Sequence, residues 1–176
     1  QAELFRDRRR KLSVNKVPAK NSAALSEVYH TVYFRPEDLF LIREGAAARR
    51  KFLDTALCQL RPRYAAALTE YNRLYEHKTR ILRDSEERPD LLAALPDFNE
   101  QMVRFGAALT HDRAQFAQAL GKYAAVHHRE CSGGKETLEI CYQTVSSVTD
   151  PLGDLAVVTG QLREHMERHQ MAERAS

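Results

Sequence analysis

Hydrophobic and polar positions first follow the alternation that is typical of β-structure. Residues 10–18 alternate over a few positions around Asn15 and Lys16. This pattern predicts a short hairpin in which Lys16 takes a positive φ, unless the loop is longer. The run 30–34 is β-branched and aromatic, so it predicts a strand. Between these two segments, residues 22–29 are predicted to form a short helix.

The pattern becomes helical from Pro36 onward. Helices are predicted over 36–44, 46–61, 63–83 and 97–130, and the loop 84–97 is expected to contain one short helical turn. The two longest helices carry apolar stripes. The first stripe contains Tyr64, Leu68, Tyr71, Tyr75 and Leu82, with Lys78 beside them, and the second contains Phe98, Met102, Phe105, Leu109, Phe116, Leu120, Tyr123 and His127. Two long striped helices joined by a short polar loop indicate an antiparallel helical arm.

The alternation returns after the second long helix. Residues 132–134, Ser-Gly-Gly, predict a helix end and a turn. They do not form a P-loop, because Arg129 and Glu136 stand where that motif requires glycine and a hydroxyl residue. The run 138–142 predicts a half-buried strand, and 151–172 predicts a final helix. The predicted fold class is α+β, mostly α, with the arm inserted between short strands.

Composition places the chain among globular proteins. Its 176 residues allow one domain with an extension, and 43% hydrophobic residues can form a core. No apolar run approaches the length of about 20 residues that a membrane span requires. The first residues contain no apolar core of a signal peptide. The three cysteines are few and odd in number, which predicts reduced thiols in the cytoplasm.

Positive charge is concentrated at the beginning of the chain. Residues 1–20 contain seven basic and two acidic residues, so the remaining 156 residues carry a net charge of −2 within a total of +3. Such a basic edge can contact a polyanion, and it can also be a run that only improves solubility. The chain contains a second basic run, at Arg49–Lys51. It can hold phosphates, or it can be a solvated helix face with an ion pair to Asp54.

Candidate catalytic or metal-binding groups are sparse. His127, His128, Cys131 and Cys141 have metal-capable atoms, but their spacing is not that of a zinc site. No pattern of paired carboxylates, activated nucleophile or dinucleotide-binding loop is present. The residues therefore predict a chain without a catalytic centre or a metal.

Long motifs in the sequence resemble the bacterial RecF family of recombination proteins. The motif residues include Phe34, Pro36, Glu37, Asp38, Leu39, Gly45, Arg49, Arg50, Phe52, Leu53, Asp54, Gln59, Pro62, Tyr64, Leu68 and Tyr71, and later Ser132, Gly133, Gly134, Glu136, Leu138, Ile140 and Tyr142. The resemblance covers nearly the whole chain and is densest over 31–74. The sequence departs from the family at Lys16, where many members have glycine, and at 77–79, where many have Gln-Arg-Asn.

The resemblance implies how the chain is organised. RecF proteins are ABC-type, SMC-like ATPases whose Walker A loop precedes this segment and whose signature and Walker B motifs follow it. The chain then corresponds to a β-rich flank of the ATPase lobe (1–35), the helical arm (36–131) and a returning strand with a final helix (132–176). Residues 35–38, namely Arg35, Pro36, Glu37 and Asp38, stand where related ATPases have the loop between the nucleotide site and the arm, although the usual glutamine is absent.

The resemblance also implies a function. The parent protein is expected to bind ATP with Mg²⁺, to dimerise on ATP, and to hold gapped DNA or junctions of single and double strands. With RecO and RecR it would load RecA in recombinational repair, and it would serve replication and the SOS response. The expected DNA-binding residues of this chain are Arg8, Arg9, Arg10, Lys11, Arg49, Arg50 and Lys51. The alternative is a helical interaction module that binds protein and not DNA.

Overall fold

The computed structural model describes residues 2–3, 11–19 and 28–173 and is mostly helical, with a small antiparallel sheet. The predicted fold class, α+β and mostly α, is thereby confirmed. The chain divides into two compact units, Gln1–Ala65 and Ala66–Ser176. Among the described residues, no helix is long and apolar enough to cross a membrane.

The sheet of the first unit contains the predicted hairpin. Strands β1 (Ala2–Glu3) and β3 (Val17–Pro18) both pair antiparallel with β2 (Lys11–Val14). The two turn residues both lie in the left-handed region, Asn15 at φ 50° and Lys16 at φ 69°. This is the backbone of a two-residue turn that matches the twist of the strands. The predicted positive φ of Lys16 is therefore confirmed, although its side chain makes that conformation unfavourable.

The predicted strand 30–34 is wrong. Within the described part of the chain this run has no ladder partner, and the side chain of Val32 is fully exposed. Its backbone is held instead by Gln59, whose Oε1 accepts from the amide of Thr31 at 2.9 Å and from its hydroxyl at 3.2 Å. Strand propensity measures how well a side chain fits a pleated, half-buried surface, and here no neighbouring strand provides one. Most of the helix predicted over 22–29 lies outside the described residues.

The predicted helix 36–44 is shorter than expected. Residues Pro36–Phe40 form a 3-10 helix and turns follow. The amides of Arg43 and Glu44 both donate to the carbonyl of Phe40 at 2.8 Å, so the chain tightens into a turn instead of continuing the helix. Extending a helix requires one further backbone hydrogen bond for each added residue. The turns between Phe40 and Gly45 do not continue that series.

Four longer helices follow. They are α1 (Ala46–Leu60), α2 (Pro62–Asp84), α3 (Leu95–Cys131) and α4 (Leu155–Glu173), with a 3-10 helix at Pro89–Ala94 between α2 and α3. The first three agree with the predicted helices to within two residues. Helix α4 begins four residues later than predicted. The carboxylate of Asp154 accepts from the amide of Ala156 at 2.7 Å, so this side chain, not Pro151, caps the helix.

The apolar stripes of α2 and α3 are only partly buried. On α2, Leu74 and Lys78 are buried, whereas the predicted stripe residue Tyr75 is exposed. Tyr75 lies about 100° around the helix axis from Leu74. The helix buries the side of the stripe that contains Leu74 and Lys78, and the side that contains Tyr75 is exposed. On α3, Met102 and Leu109 are buried as predicted. The predicted stripe residues Tyr123 and His127 are exposed instead.

The second unit has its core where α4 packs on α3. Ala107 of α3 and Val158 of α4 are completely buried and pack with Val148 from the segment before α4. On the other side of α3, a Cβ at Gly106 would lie 3.3 Å from the ring of Tyr71. Glycine at this position lets α2 and α3 approach closely.

The predicted strand 138–142 is also wrong, although its alternation is real. Leu138, Ile140 and Tyr142 are half-buried, and the residues between them are exposed. Across the described ranges, however, this segment pairs with no strand. It packs on α3 instead, where a Cβ at Gly121 would lie 3.5 Å from the Cβ of Ile140. A helix surface can bury every second residue of an extended chain just as a core beneath a sheet does.

The turn after α3 agrees with the prediction. The helix ends at Cys131, and Gly133 and Gly134 take φ values of 62° and 77°. The amide of Gly134 donates to the carbonyl of Arg129 at 2.8 Å, as in a glycine-terminated helix. The Ser-Gly-Gly run is therefore a structural helix end.

An ion pair also connects α3 and α4. The guanidinium of Arg163 donates to both carboxylate oxygens of Glu100, at 2.9 and 2.6 Å. This hydrogen bond is the main reason that the pKa of Glu100 lies below its ordinary value of 4.5. A carboxyl group with a lowered pKa stabilises the fold above its ordinary pKa, and it loses that contribution as the pH falls through the lowered value.

Replacing Glu100 by glutamine should therefore destabilise the chain at pH 7, and the loss should shrink as the pH falls below 4.5 and the wild-type carboxyl group takes up its proton. The measurement is the urea midpoint of wild type and Glu100→Gln over a series of decreasing pH values. Glu76→Gln, at an exposed position of α2, is the control and should leave the midpoint at pH 7 close to that of wild type. A loss that is equal at every pH would contradict a role of the ion pair.

Candidate nucleic-acid interface

The basic run Arg49–Lys51 lies in the first two turns of α1. The residue before the helix, Gly45, provides no side-chain cap, and the first turn contains no acidic residue. Cations are unfavourable near a helix N-terminus, because the helix dipole is positive there. Helix stability therefore does not explain three consecutive cations at this position.

Arg49 makes contacts within the protein. Its Nη1 donates to the carbonyl of Glu44 at 2.7 Å and lies 3.5 Å from that of Ile42. Both carbonyls belong to the turns that precede α1. One part of the Arg49 guanidinium is thus engaged by the backbone.

Arg50 and Lys51 are exposed. The sequence pattern is compatible with an ion pair between these cations and Asp54. Among the described ion pairs and hydrogen bonds, none joins either side chain to Asp54, whose Oδ1 accepts from the hydroxyl of Tyr64. Two cations on adjacent positions are thus available to an anion in solution.

The predicted loop of residues 35–38 is closed on itself. The Oδ2 of Asp38 accepts from the amide of Arg35 at 2.8 Å, and its Oδ1 accepts from the Arg35 guanidinium at 3.2 Å. The amide bond is the largest reason that the pKa of Asp38 is lowered, and the side-chain bond raises the pKa of Arg35. Pro36 begins the 3-10 helix, and the carboxylate of Glu37 points to an exposed surface. The loop is a locally stabilised turn that does not depend on distant residues for its shape.

The other predicted basic residues lie in the hairpin region. Lys11 begins β2 and is exposed. Arg8, Arg9 and Arg10 lie outside the described residues. Of the basic residues in 1–20, Lys11 and the turn residue Lys16 lie in the described part of the chain, and both are exposed.

Three of the four candidate metal ligands have other contacts, and the fourth, Cys131, is an exposed free cysteine. His127 lies 3.2 Å from Glu130, and His128 lies 3.1 Å from Glu136. The pKa of Cys141 is raised, mainly by a hydrogen bond to Glu139. Within the described ranges, no three histidine, cysteine, aspartate or glutamate residues form a metal-binding group.

The second unit contains a groove of about 450 Å³ that the sequence pattern does not predict. It is lined by α3, by residues 138–142 and by Pro151 and Leu152. Gly121 faces the extended segment there, and this glycine inside a helical pattern is the signal that could have revealed a close approach.

Solved structures that are similar to this chain define the fold class. A structure described as the recombination mediator protein RecF-ATPrS in the RecFOR pathway aligns with a TM-score of 0.88 and 22% identity, over 99% of this chain and 46% of that chain. A second, described as RecF-ATP in the same pathway, aligns with a TM-score of 0.79 and 24% identity, over 94% and 44%. The chain thus has the fold of part of a recombination mediator protein.

Sequence relatives of the chain are proteins named RecF. The protein named DNA replication and repair protein RecF from Agathobacter rectalis is 35% identical over 132 residues, which are 75% of this chain and 36% of the relative. That of Lachnoclostridium phytofermentans is 31% identical over 165 residues, which are 94% and 44%. No family model matches the chain. The predicted resemblance is confirmed: this chain is homologous to a segment of RecF proteins, and it spans less than half the length of these relatives.

Proposed function

We propose that the chain is the arm segment of a RecF-like, ATP-dependent DNA clamp that acts as a recombination mediator. The observation that carries this proposal is the similarity to proteins named RecF over 94% of the chain, together with a matching fold. In this proposal residues 1–35 and 132–176 belong to the ATPase lobe, and residues 36–131 form the arm.

The proposed DNA contacts are the basic residues of the chain's first part. They are Arg8, Arg9, Arg10, Lys11, Arg49, Arg50 and Lys51. The exposed pair Arg50 and Lys51 supports this assignment, because two adjacent exposed cations can both reach phosphate oxygens. Gapped DNA and junctions of single and double strands are the proposed substrates.

The remaining activities are assigned to the longer parent protein. It would bind ATP with Mg²⁺, dimerise across the nucleotide, and act with RecO and RecR to load RecA in the cytoplasm. It would also serve replication and the SOS response. The loop Arg35–Asp38 would join the nucleotide site to the arm. The present chain would itself be non-catalytic, so ATP hydrolysis by the isolated chain would contradict this division of labour.

Neutralising Arg50 and Lys51 together in the parent protein should weaken DNA binding and reduce its salt dependence. Each lost phosphate contact lowers the slope of log K against log salt by about 0.9 on duplex DNA. The measurement is a titration of gapped DNA at several salt concentrations, for wild type and for Arg50→Ala/Lys51→Ala.

A variant of equal charge is the control. Arg104→Ala/Lys122→Ala removes two exposed cations of α3 and should keep the wild-type slope. If the Arg50/Lys51 variant also keeps the wild-type affinity and slope, these residues do not contact DNA. Protein crosslinks without DNA crosslinks from the segment Leu91–Phe98 would then favour the interaction-module alternative.

A further inference from the structure

Arg49 differs from its two basic neighbours because its guanidinium is bound to the protein backbone. The 2.7 Å bond from Nη1 to the carbonyl of Glu44 and the longer contact to that of Ile42 reach back from the helix to the preceding turns. A hydrogen bond from a charged donor is shorter and stronger than one between neutral groups. The side chain therefore connects the first turn of α1 to the chain that enters it.

The entering chain has internal order of its own. The amides of Arg43 and Glu44 both donate to the carbonyl of Phe40, and the Arg35–Asp38 bonds close the other end of the 3-10 helix. Residues 35–44 thus form one compact turn structure. A local unit of this kind moves as a whole unless it is fixed to its neighbour.

Among the described hydrogen bonds and ion pairs, the side-chain bonds between this unit and α1 are those of Arg49. Gly45 joins the unit to α1, and it provides no side-chain cap to the helix. The first-turn amides of a helix have no acceptor within the helix, and a capping side chain normally accepts from one of them. Without that bond, the cap does not fix the angle at which the preceding chain enters α1. The two Arg49 contacts to carbonyl oxygens determine it instead.

We infer that Arg49 is a positioning residue, which fixes the turn unit 35–44 on the first turn of α1 and so sets the surface on which Arg50 and Lys51 are presented. The inference rests on the proposed DNA-binding function for its effect on binding, but its structural part does not. It revises the proposed set of DNA contacts at one position: Arg49 binds the backbone and affects DNA only through the surface that it fixes, whereas Arg50 and Lys51 contact phosphate.

Amide hydrogen exchange of the full chain tests the structural part without DNA. Arg49→Ala should raise the exchange rates of the Arg43 and Glu44 amides by about three- to tenfold, because loss of the fixing bonds lets the turns open more often. Arg50→Ala, which removes a neighbouring cation, is the matched control and should leave both rates unchanged. Arg49→Lys should restore most of the protection, since an ammonium group can also donate to carbonyl oxygens. Equal rates in the Arg49→Ala and Arg50→Ala chains would overturn the inference.

The salt dependence of DNA binding by the parent protein tests the division of roles. Arg49→Ala should lower the affinity at constant slope, whereas Arg50→Ala and Lys51→Ala should each lower the slope by about 0.9. A slope reduced by about 0.9 in Arg49→Ala, with unchanged amide exchange, would make Arg49 a phosphate contact and overturn the inference. If all three variants bind DNA like wild type, the proposed function fails, and the exchange rates still decide whether Arg49 fixes the turns.

Discussion

Replacing Val158 by aspartate should destabilise the second unit by about 4 kcal/mol or more, because it places a carboxylate without a partner in the contact of α3 and α4. Val158 is completely buried and packs with Ala107 and Val148. The side chain of Ala107 is a single methyl group, which cannot change its rotamer to make room for a carboxylate. The other members of this cluster are apolar, so none of them can form a hydrogen bond with it through its side chain. The expected loss is among the largest that a single substitution in this chain can produce.

The neighbouring residue provides the control for this prediction. Val157 lies on the same helical turn but is 56% exposed. Valine and aspartate have similar helix propensities, and acidic residues are favoured near a helix N-terminus, so Val157→Asp should change the free energy of unfolding by less than about 0.5 kcal/mol. Urea unfolding of both variants at pH 7 measures the difference. Similar losses in the two variants would mean that helix formation, and not burial, determines the effect.

Replacing Tyr64 by alanine should cost about 3–5 kcal/mol, the range for removing a buried aromatic side chain. Tyr64 is 1% exposed, and its hydroxyl donates to Asp54 within the first unit. Tyr64→Phe keeps the ring and removes only this donor, so it should cost about 1 kcal/mol. The two variants together separate the contribution of ring burial from that of the hydrogen bond.

Tyr75 tests whether the position, and not the residue type, determines this loss. It belongs to the same predicted stripe of α2 but is 58% exposed. Tyr75→Ala should change the free energy of unfolding by about 0.5 kcal/mol or less, partly because alanine is the better helix former. The measurement is chemical unfolding of the three variants. If Tyr75→Ala were as destabilising as Tyr64→Ala, the stripe would be buried along its whole length.

Local signals in the sequence were sufficient for most of the helices and for both turns. Pro62 restarts a helix because proline fits the first helical position, and the pair Gly133 and Gly134 ends one because glycine accepts a positive φ without strain. The hairpin at Asn15 was predicted from alternation and one turn residue. Each of these features depends on residues that are close in the chain.

The two predicted strands failed for a reason that local signals do not contain. A strand is defined by its hydrogen-bonded neighbour, and alternation only reports that every second side chain is buried. In residues 138–142 the burial comes from α3, and in residues 30–34 the apolar side chains are exposed. Neither the alternation of 138–142 nor the β-branched and aromatic composition of 30–34 shows whether a neighbouring strand is present.

The candidate DNA-binding residues stay a prediction, and only their local setting was read from the sequence. Three consecutive cations at a predicted helix start indicated either a phosphate-binding surface or a solvated helix face. Only the fold brings the carbonyls of Ile42 and Glu44 to Arg49, because a turn of the backbone must first direct them toward the helix. All three cations are exposed, and the pattern could not show that Arg49 alone among them donates to backbone carbonyls.

The sequence by itself determined the helices, the hairpin, the helix end at 132–134 and the relationship to RecF, because propensity, turn chemistry and motif identity are properties of short segments. The tertiary structure decided which edge of the α2 stripe is buried and what covers the alternating segment 138–142, because the free energy of burial is available only when the fold brings residues from different segments together. The contact of Arg49 with the backbone is more local, since it reaches back only five and seven residues, but it depends on the turn geometry before α1, which the pattern does not contain.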